Sequence, residues 1–309
     1  TVACCLPVKK ETVSGQMYDW HIDGLMGGHS GAEIDKNRAN ANSLLGKFLH
    51  GLDEKTDFEL ISVQGGQKDN AITRECTAQV LTNASAEVKA YAKELQAQIR
   101  EEYAASVQGA WREEYAGTDE GITVTVEDEG KQEVRVLHPT SKEKVIFFLV
   151  NVPYGVQKMS GTIKGLVETS TNIGILKTSE NEVMGSSSIR SSVETARDSL
   201  SDKIAYLTEF LGGEYERQGV YPAWEYRKDS PLRDKMVEVY EEMYGQKPNV
   251  VAIHAGLECG LFYKKMEGLD CVSLGPDMKD IHTSEEVLSI SSTERVWKYL
   301  VKVLEALKE

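Results

Sequence analysis

Apolar residues recur at two different periods along this chain of 309 residues. Val2 to Val8 and Gln16 to Asp23 alternate and predict strands, whereas Ile34, Ala41, Leu44, Leu45 and Phe48 fall on one side of a helix predicted over 34–49, with Gly51 as its stop. Phe58 to Val63 predicts a further strand ending at Gly65-Gly66. A second helix follows from Ser85 as N-cap and from Val88, Ala92, Leu95 and Ile99 at helical spacing.

The middle of the chain patterns more weakly. Ile122 to Glu127 and Glu133 to Leu137 alternate like a hairpin turning at Glu129-Gly130. Ser141 to Val152 has strand-like Val-Ile-Phe-Phe content, yet Ser141 with Glu143 and Lys144 just inside suits a helix start. Leu166 to Lys177 and Glu182 to Arg190 predict a hairpin around Ser179-Glu-Asn181. Leu200, Ile204, Leu207 and Leu211 then give a helix over 192–211, ended by Gly212-Gly213.

The character changes after Glu214. Ser230-Pro231 is an N-cap followed by proline at the first helical position, Met236, Val239, Tyr240 and Met243 form an apolar face, and Gly245 closes the helix. Val250 to Ile253 and Cys271 to Leu274 are unbroken apolar runs, expected as strands buried on both faces of a sheet. A last helix is expected from a Ser291-x-x-Glu294 capping box, with Val296, Leu300, Leu304 and Leu307 inward. Two domains are therefore expected, meeting near 213–220, in a mixed α/β chain.

Composition narrows the class of partner. A net charge of −14 argues against nucleic acid, whose phosphates call for a basic face. The longest apolar run, Val145 to Val152, is too short to span a bilayer, so no membrane role is expected. The start, Thr-Val-Ala-Cys-Cys-Leu, carries neither a signal peptide nor an initiator Met. Five cysteines, two of them adjacent, suggest neither a disulfide framework nor a CxxC zinc site, and reduced cytoplasmic thiols are expected.

Candidate chemistry concentrates in a few polar segments. Gly27-Gly-His-Ser-Gly31 with Glu33-Ile34 holds His29 between glycines, where backbone can approach a ligand closely. His254-Ala-Gly-Leu-Glu-Cys-Gly260, Gly275-Pro276 and His282-Thr-Ser-Glu-Glu286 gather histidines and carboxylates near the end. On local grounds His29 suits a helix-capping region, Asn70 a turn, Arg190 a solvated edge charge, Glu258 a loop support, and His282 either a solvated loop residue or a metal ligand.

Together with Gly65-Gly66, Asn70-Ala-Ile72, Val167-Glu-Thr-Ser170, Asn172, Gly174, Ile189-Arg-Ser191 and Tyr221-Pro222 with Trp224, these segments resemble, in order and over nearly the whole chain, the M20-type co-catalytic zinc peptidases, in their dipeptidase branch. The resemblance implies a lid domain of antiparallel sheet with helices over 1–213 and the C-terminal part of an α/β catalytic domain over 214–309, and it favours helix for 141–152. It implies cleavage of unblocked dipeptides, Xaa-His among them, by a water activated between two zinc ions, and it allows a homodimer. His29 would be the catalytic oxyanion donor, Asn70, Arg190, Gly256 and Glu258 would bind substrate, and His282 would ligate metal. Thr73, where the family has proline, loosens the turn after Asn70, and Ser284 likewise replaces a proline after His282. The family's His-x-Asp segment, Gly-rich-turn Asp, Glu-Glu pair and further Asp have no counterpart here, so the expectation is a chain without the first catalytic lobe, inactive and poor in zinc alone. A metal-free interaction protein, a tripeptidase and an amino-acid deacylase are the alternatives.

Overall fold

The computed structural model describes residues 1–105, 118–161, 163–252, 258–279 and 286–308. These form two compact units, Thr1–Val220 and Tyr221–Glu309.

The first unit is built on one sheet. Its strands are β1 (Val2–Pro7), β2 (Lys10–Asp23), β4 (Glu59–Gly65), β6 (Cys76–Leu81), β7 (Thr123–Leu137), β8 (Gly155–Met159), β9 (Val167–Thr178), β10 (Glu182–Ser191) and β11 (Glu214–Arg217), and β3 (Gly28–His29) with β5 (Ala71–Ile72) makes a separate two-stranded ladder. The spatial order is β11-β1-β10-β9-β4-β6-β2-β7, with β8 also on β9. Every pairing in it is antiparallel. Helices α1 (Ala41–Asp53), α2 (Ser85–Ala105), α3 (Pro139–Asn151) and α4 (Glu194–Phe210) join the sheet's apolar face in one core. Trp20 of β2 lies against Phe48 of α1 with ring centroids 3.9 Å apart.

Local chemistry explains most of these elements and corrects several expectations. The helix expected over 34–49 begins only at Ala41, because the Asn40 side chain accepts the N–H groups of Asn42 and Ser43 and so caps it. Ile34 belongs instead to a short 3₁₀ turn, Ile34–Lys36, which a left-handed Asn37 ends. Gly51 does not stop α1, which continues to Asp53. A Cβ there would run into the Tyr91 hydroxyl of α2, and one on Gly46 would sit 2.7 Å from the Leu149 carbonyl carbon of α3. These glycines let the helices approach. For 141–152 the helix is observed as α3, with Pro139 in its first turn.

The hairpin expected over 122–137 is a single strand, β7, paired with β2 along its length. The register slips at Met17/Tyr18, opposite Gly130 with φ 81°. Alternation reports faces, not reversals, and a glycine with positive φ serves a bulge as well as a turn. β2 correspondingly starts six residues earlier than its apolar alternation, at the polar Lys10.

The second unit contains α5 (Pro231–Tyr244), α6 (Glu258–Lys265), the pair β12 (Met278–Lys279) and β13 (Val287–Leu288), and α7 (Ile290–Ala306). α5 agrees with its sequence signals, with Ser230 Oγ accepting from Arg233 N and Gly245 left-handed at the end. Val250 and Val251 are exposed and lie in no strand, and neither does the run Cys271 to Leu274. A strand buried on both faces needs neighbouring strands, and among the described residues this unit offers only the two-residue β12–β13 ladder. α7 is capped by Ser289, not Ser291. Its buried residues are Ser292, Tyr299 and Val303, whereas Leu304 and Leu307 are exposed.

Ser230 gives a direct test of α5. Its hydroxyl also donates to Asp270 Oδ1 at 2.7 Å, while Asp270 Oδ2 accepts from Leu232 N at 3.0 Å. Ser230→Ala is expected to cost about 1–2 kcal/mol, read as a lower denaturant midpoint with an unchanged m-value. A midpoint equal to that of the unmodified protein would show the cap to be idle.

Candidate substrate-binding site on the first unit

His29 stands in β3, held from several sides. Its backbone pairs with Ala71 of β5, and Ser30 N donates to the Asn70 carbonyl at 2.9 Å. The Glu33 carboxylate accepts His29 N at 2.8 Å and forms ion pairs with Lys36 at 3.1 Å and Arg38 at 2.8 Å. Burial pushes the Glu33 carboxyl up, but the His29 N–H and the two cations outweigh it and leave it below the usual range. Gly28, at φ 139°, leaves the room in which Glu33 and Arg38 meet. On the ring, Nδ1 accepts from Gly31 N at 3.2 Å and Ala32 N at 3.1 Å. Two donors at Nδ1 assign the proton of the neutral imidazole to Nε2.

The preceding loop is fixed independently. Buried Asp119 accepts Met26 N and Ala39 N, both at 2.7 Å, and Tyr154 Oη donates to the Arg38 carbonyl at 2.7 Å.

Arg190 enters from β10, opposite Ser170 of β9. A Cβ on Gly31 would lie 3.0 Å from His29 Cε1 and 3.2 Å from Arg190 Cζ, so the imidazole and the guanidinium flank one glycine. Burial lowers the Arg190 guanidinium and the Asp69 carboxylate pushes it back up; its Nε is buried with no hydrogen-bond partner.

Asn70 sits in the turn between β4 and β5, tied down by a polar network. Asn172 Nδ2 donates to the carbonyls of Asp69 at 3.0 Å and Ala71 at 2.8 Å, and its Oδ1 accepts Asn40 Nδ2 at 3.0 Å. Thr73 is buried, its one hydroxyl proton shared between the Ile173 and Gly174 carbonyls and its oxygen accepting from Asn42 Nδ2. The turn is therefore not loosened by the absence of proline, since a side-chain hydrogen bond replaces the ring's constraint. Sequence reasoning assigned no role to Asn40, Asp69 or Glu33. The available signal was the run Glu168–Asn172, five polar residues buried in one strand, because buried polar groups seek partners.

His29, Asn70 and Arg190 thus meet on the first unit. Glu258 opens α6 of the second unit and is exposed. Gly256 and His282 lie outside the described residues. Among the described residues no group of three or more His, Cys, Asp or Glu side chains could hold a metal ion, so these residues by themselves do not fit one. No described helix is long and apolar enough to cross a membrane.

The sequence and the fold of the chain are similar to those of known peptidases. Residues 21–107 match the M20 peptidase dimerisation domain. The chain is 32% identical over 289 residues to the cytosol non-specific dipeptidase of Escherichia coli (strain K12), covering 92% of this chain and 56% of that one. It superposes with a TM-score of 0.83, at 31% identity, on the crystal structure of aminoacylhistidine dipeptidase from Vibrio alginolyticus, covering 99% of this chain and 60% of that one. The chain therefore spans a little over half the length of either relative. Dipeptidases of the M20 family are peptide-bond hydrolases and are generally metal-dependent. The chain is similar along nearly all of its length to these two dipeptidases, and its residues 21–107 match the M20 peptidase dimerisation domain.

Proposed function

We propose that the chain is the lid, residues 1–213, and the closing part of the catalytic domain, residues 214–309, of a cytoplasmic, homodimeric dipeptidase that hydrolyses unblocked dipeptides, Xaa-His among them. The observation that carries this reading is the meeting of His29 and Arg190 across Gly31. Arg190 takes the free carboxylate of the dipeptide, for which a guanidinium fork is suited. His29 offers Nε2–H to the scissile carbonyl oxygen as negative charge develops there. Asn70 hydrogen-bonds the peptide, and Gly256 and Glu258 are the remaining substrate-binding residues of this reading.

Two zinc ions complete the reading, with His282 supplying one ligand. A catalytic zinc takes about three protein ligands, so His282 alone would not hold one. The names of the relatives support the substrate class and the compartment, and the dimerisation-domain match supports the dimer.

The intact enzyme that contains this chain, supplied with zinc, should release free amino acids from glycyl-leucine and glycyl-histidine but not from N-acetyl-leucine or a tripeptide. Cleavage of the acetylated amino acid alone would replace this reading with a deacylase, and cleavage of the tripeptide alone with a tripeptidase. Inertness towards all of them would favour the interaction protein.

Arg190→Ala should act on KM. A hydrogen bond to a charged group contributes about 1.5–3 kcal/mol, so KM is expected to rise about 10- to 100-fold with kcat largely kept. A fall confined to kcat in steady-state kinetics would remove Arg190 from the carboxylate.

A further inference from the structure

We propose that Asp69 selects the side chain of the dipeptide's C-terminal residue, favouring lysine, arginine and histidine over acidic residues. This deepens the reading above and rests on Arg190 as the carboxylate clamp.

The placement of Asp69 follows from the sheet. Its carbonyl is held by Asn172 Nδ2 at 3.0 Å, and its Cα packs over Gly174, where an added Cβ would sit 2.6 Å away. The loop is therefore seated on β9. Asn172 and Ser170 share one face of that strand, two residues or about 6.6 Å apart, and Arg190 is the cross-strand partner of Ser170. The Asp69 backbone accordingly lies over the face of β9 that carries Asn172 and Ser170, and Arg190 stands on the same face across from Ser170.

Asp69 is the anion that acts on the Arg190 guanidinium, yet the two form no direct ion pair among the described residues. Arg190 is thus not consumed by Asp69 and keeps its donors for an incoming carboxylate. Of the Asp69 oxygens, Oδ2 accepts the Thr1 hydroxyl, and no described residue donates to Oδ1.

A dipeptide's C-terminal side chain branches from the carbon that bears the free carboxylate. With that carboxylate on Arg190, the head of the side chain falls within a side-chain length of the guanidinium, where Asp69 stands. An ammonium, guanidinium or imidazole N–H there gains a charge-assisted hydrogen bond. A second carboxylate there meets a like charge in a partly buried setting. Asp69 is then a specificity-determining residue, leaving the reacting bond to others.

The test compares dissociation constants of glycyl-lysine, glycyl-histidine, glycyl-leucine and glycyl-glutamate, followed by amide shifts in NMR with a chelator present so that binding is read without turnover. The unmodified protein should prefer glycyl-lysine to glycyl-glutamate. Asp69→Asn should shrink that preference about five- to tenfold, and Asp69→Lys should invert it. Equal weakening of all four peptides in both variants would assign Asp69 a structural role and overturn the proposal. So would an unmodified protein that binds all four alike. Failure of the unmodified protein to bind any of the four would instead bring down the Arg190 clamp itself, and this inference with it.

Discussion

Replacing His29 by alanine is expected to lower kcat of the intact enzyme by about 10²- to 10³-fold, the cost of removing one preorganised oxyanion donor. The expectation follows from how little freedom the ring has. Its Nδ1 is occupied by two backbone donors, Gly31 N and Ala32 N, and its own backbone N–H is fastened to Glu33, which Lys36 and Arg38 hold in turn. On the proposed reading the proton at Nε2 is set before substrate arrives, and its hydrogen bond would strengthen as charge develops on the carbonyl oxygen. An interaction made chiefly in the transition state appears in kcat and not in KM. His29→Gln, whose amide N–H reaches a similar distance, should recover part of the loss. Steady-state kinetics on the two variants decide the matter. A rise in KM with kcat intact would make His29 a binding residue, and a glutamine variant no better than alanine would point to a structural role.

How much of this was legible depends on how local each signal is. α5 could be read because Ser230, Pro231 and Gly245 act through neighbours in sequence. The start of α1 could not. Ile34 and Ala41 share a helical face on paper, but Ile34 packs with Ile72 and Val167 in a different cluster, and a three-dimensional neighbour decided between the two. The same holds for β7, whose continuity exists only because β2 is long enough to pair with it. Apolar runs mislead for a related reason: Val250, Val251 and Leu304 are exposed, since burial requires a partner element that the run does not encode. At the site, no periodicity links His29, Asn70 and Arg190. Only the wording of the motifs joined them; in space the Gly31 distances bring His29 and Arg190 together, and the Ser30 N–H on the Asn70 carbonyl brings in Asn70. The polar supports were least legible, because Asn40, Asn172 and Thr73 read individually as turn or strand-edge residues until their hydrogen bonds are seen together.

Those supports make the second large prediction. Asn40→Ala is expected to destabilise the first unit by about 2–4 kcal/mol. The cap on α1 contributes about 0.5–2 kcal/mol, since Asn40 Oδ1 accepts Asn42 N at 2.9 Å and Ser43 N at 3.2 Å. The remainder comes from Asn172, whose buried Oδ1 loses its donor, a cost of about 1–3 kcal/mol. The Ile173 carbonyl also loses Asn40 Nδ2 but keeps Asn42 Nδ2 and Thr73 Oγ1, so it is not orphaned. In a unit of this size each kcal/mol moves Tm by about 2–4 °C, giving a fall of about 5–15 °C. Asn40→Ser separates the two contributions, because a serine oxygen caps the helix yet cannot reach across to Asn172; it should lose roughly half as much. A serine variant as unstable as alanine would place the whole effect in the network, and an alanine variant melting with the unmodified protein would refute the accounting. Asn172 also holds the carbonyls of Asp69 and Ala71, and Ala71 pairs with His29. The alanine variant should therefore bind dipeptides more weakly even at temperatures where it remains folded, because the turn that carries Asp69 and Asn70 loses the anchor that sets it against Arg190.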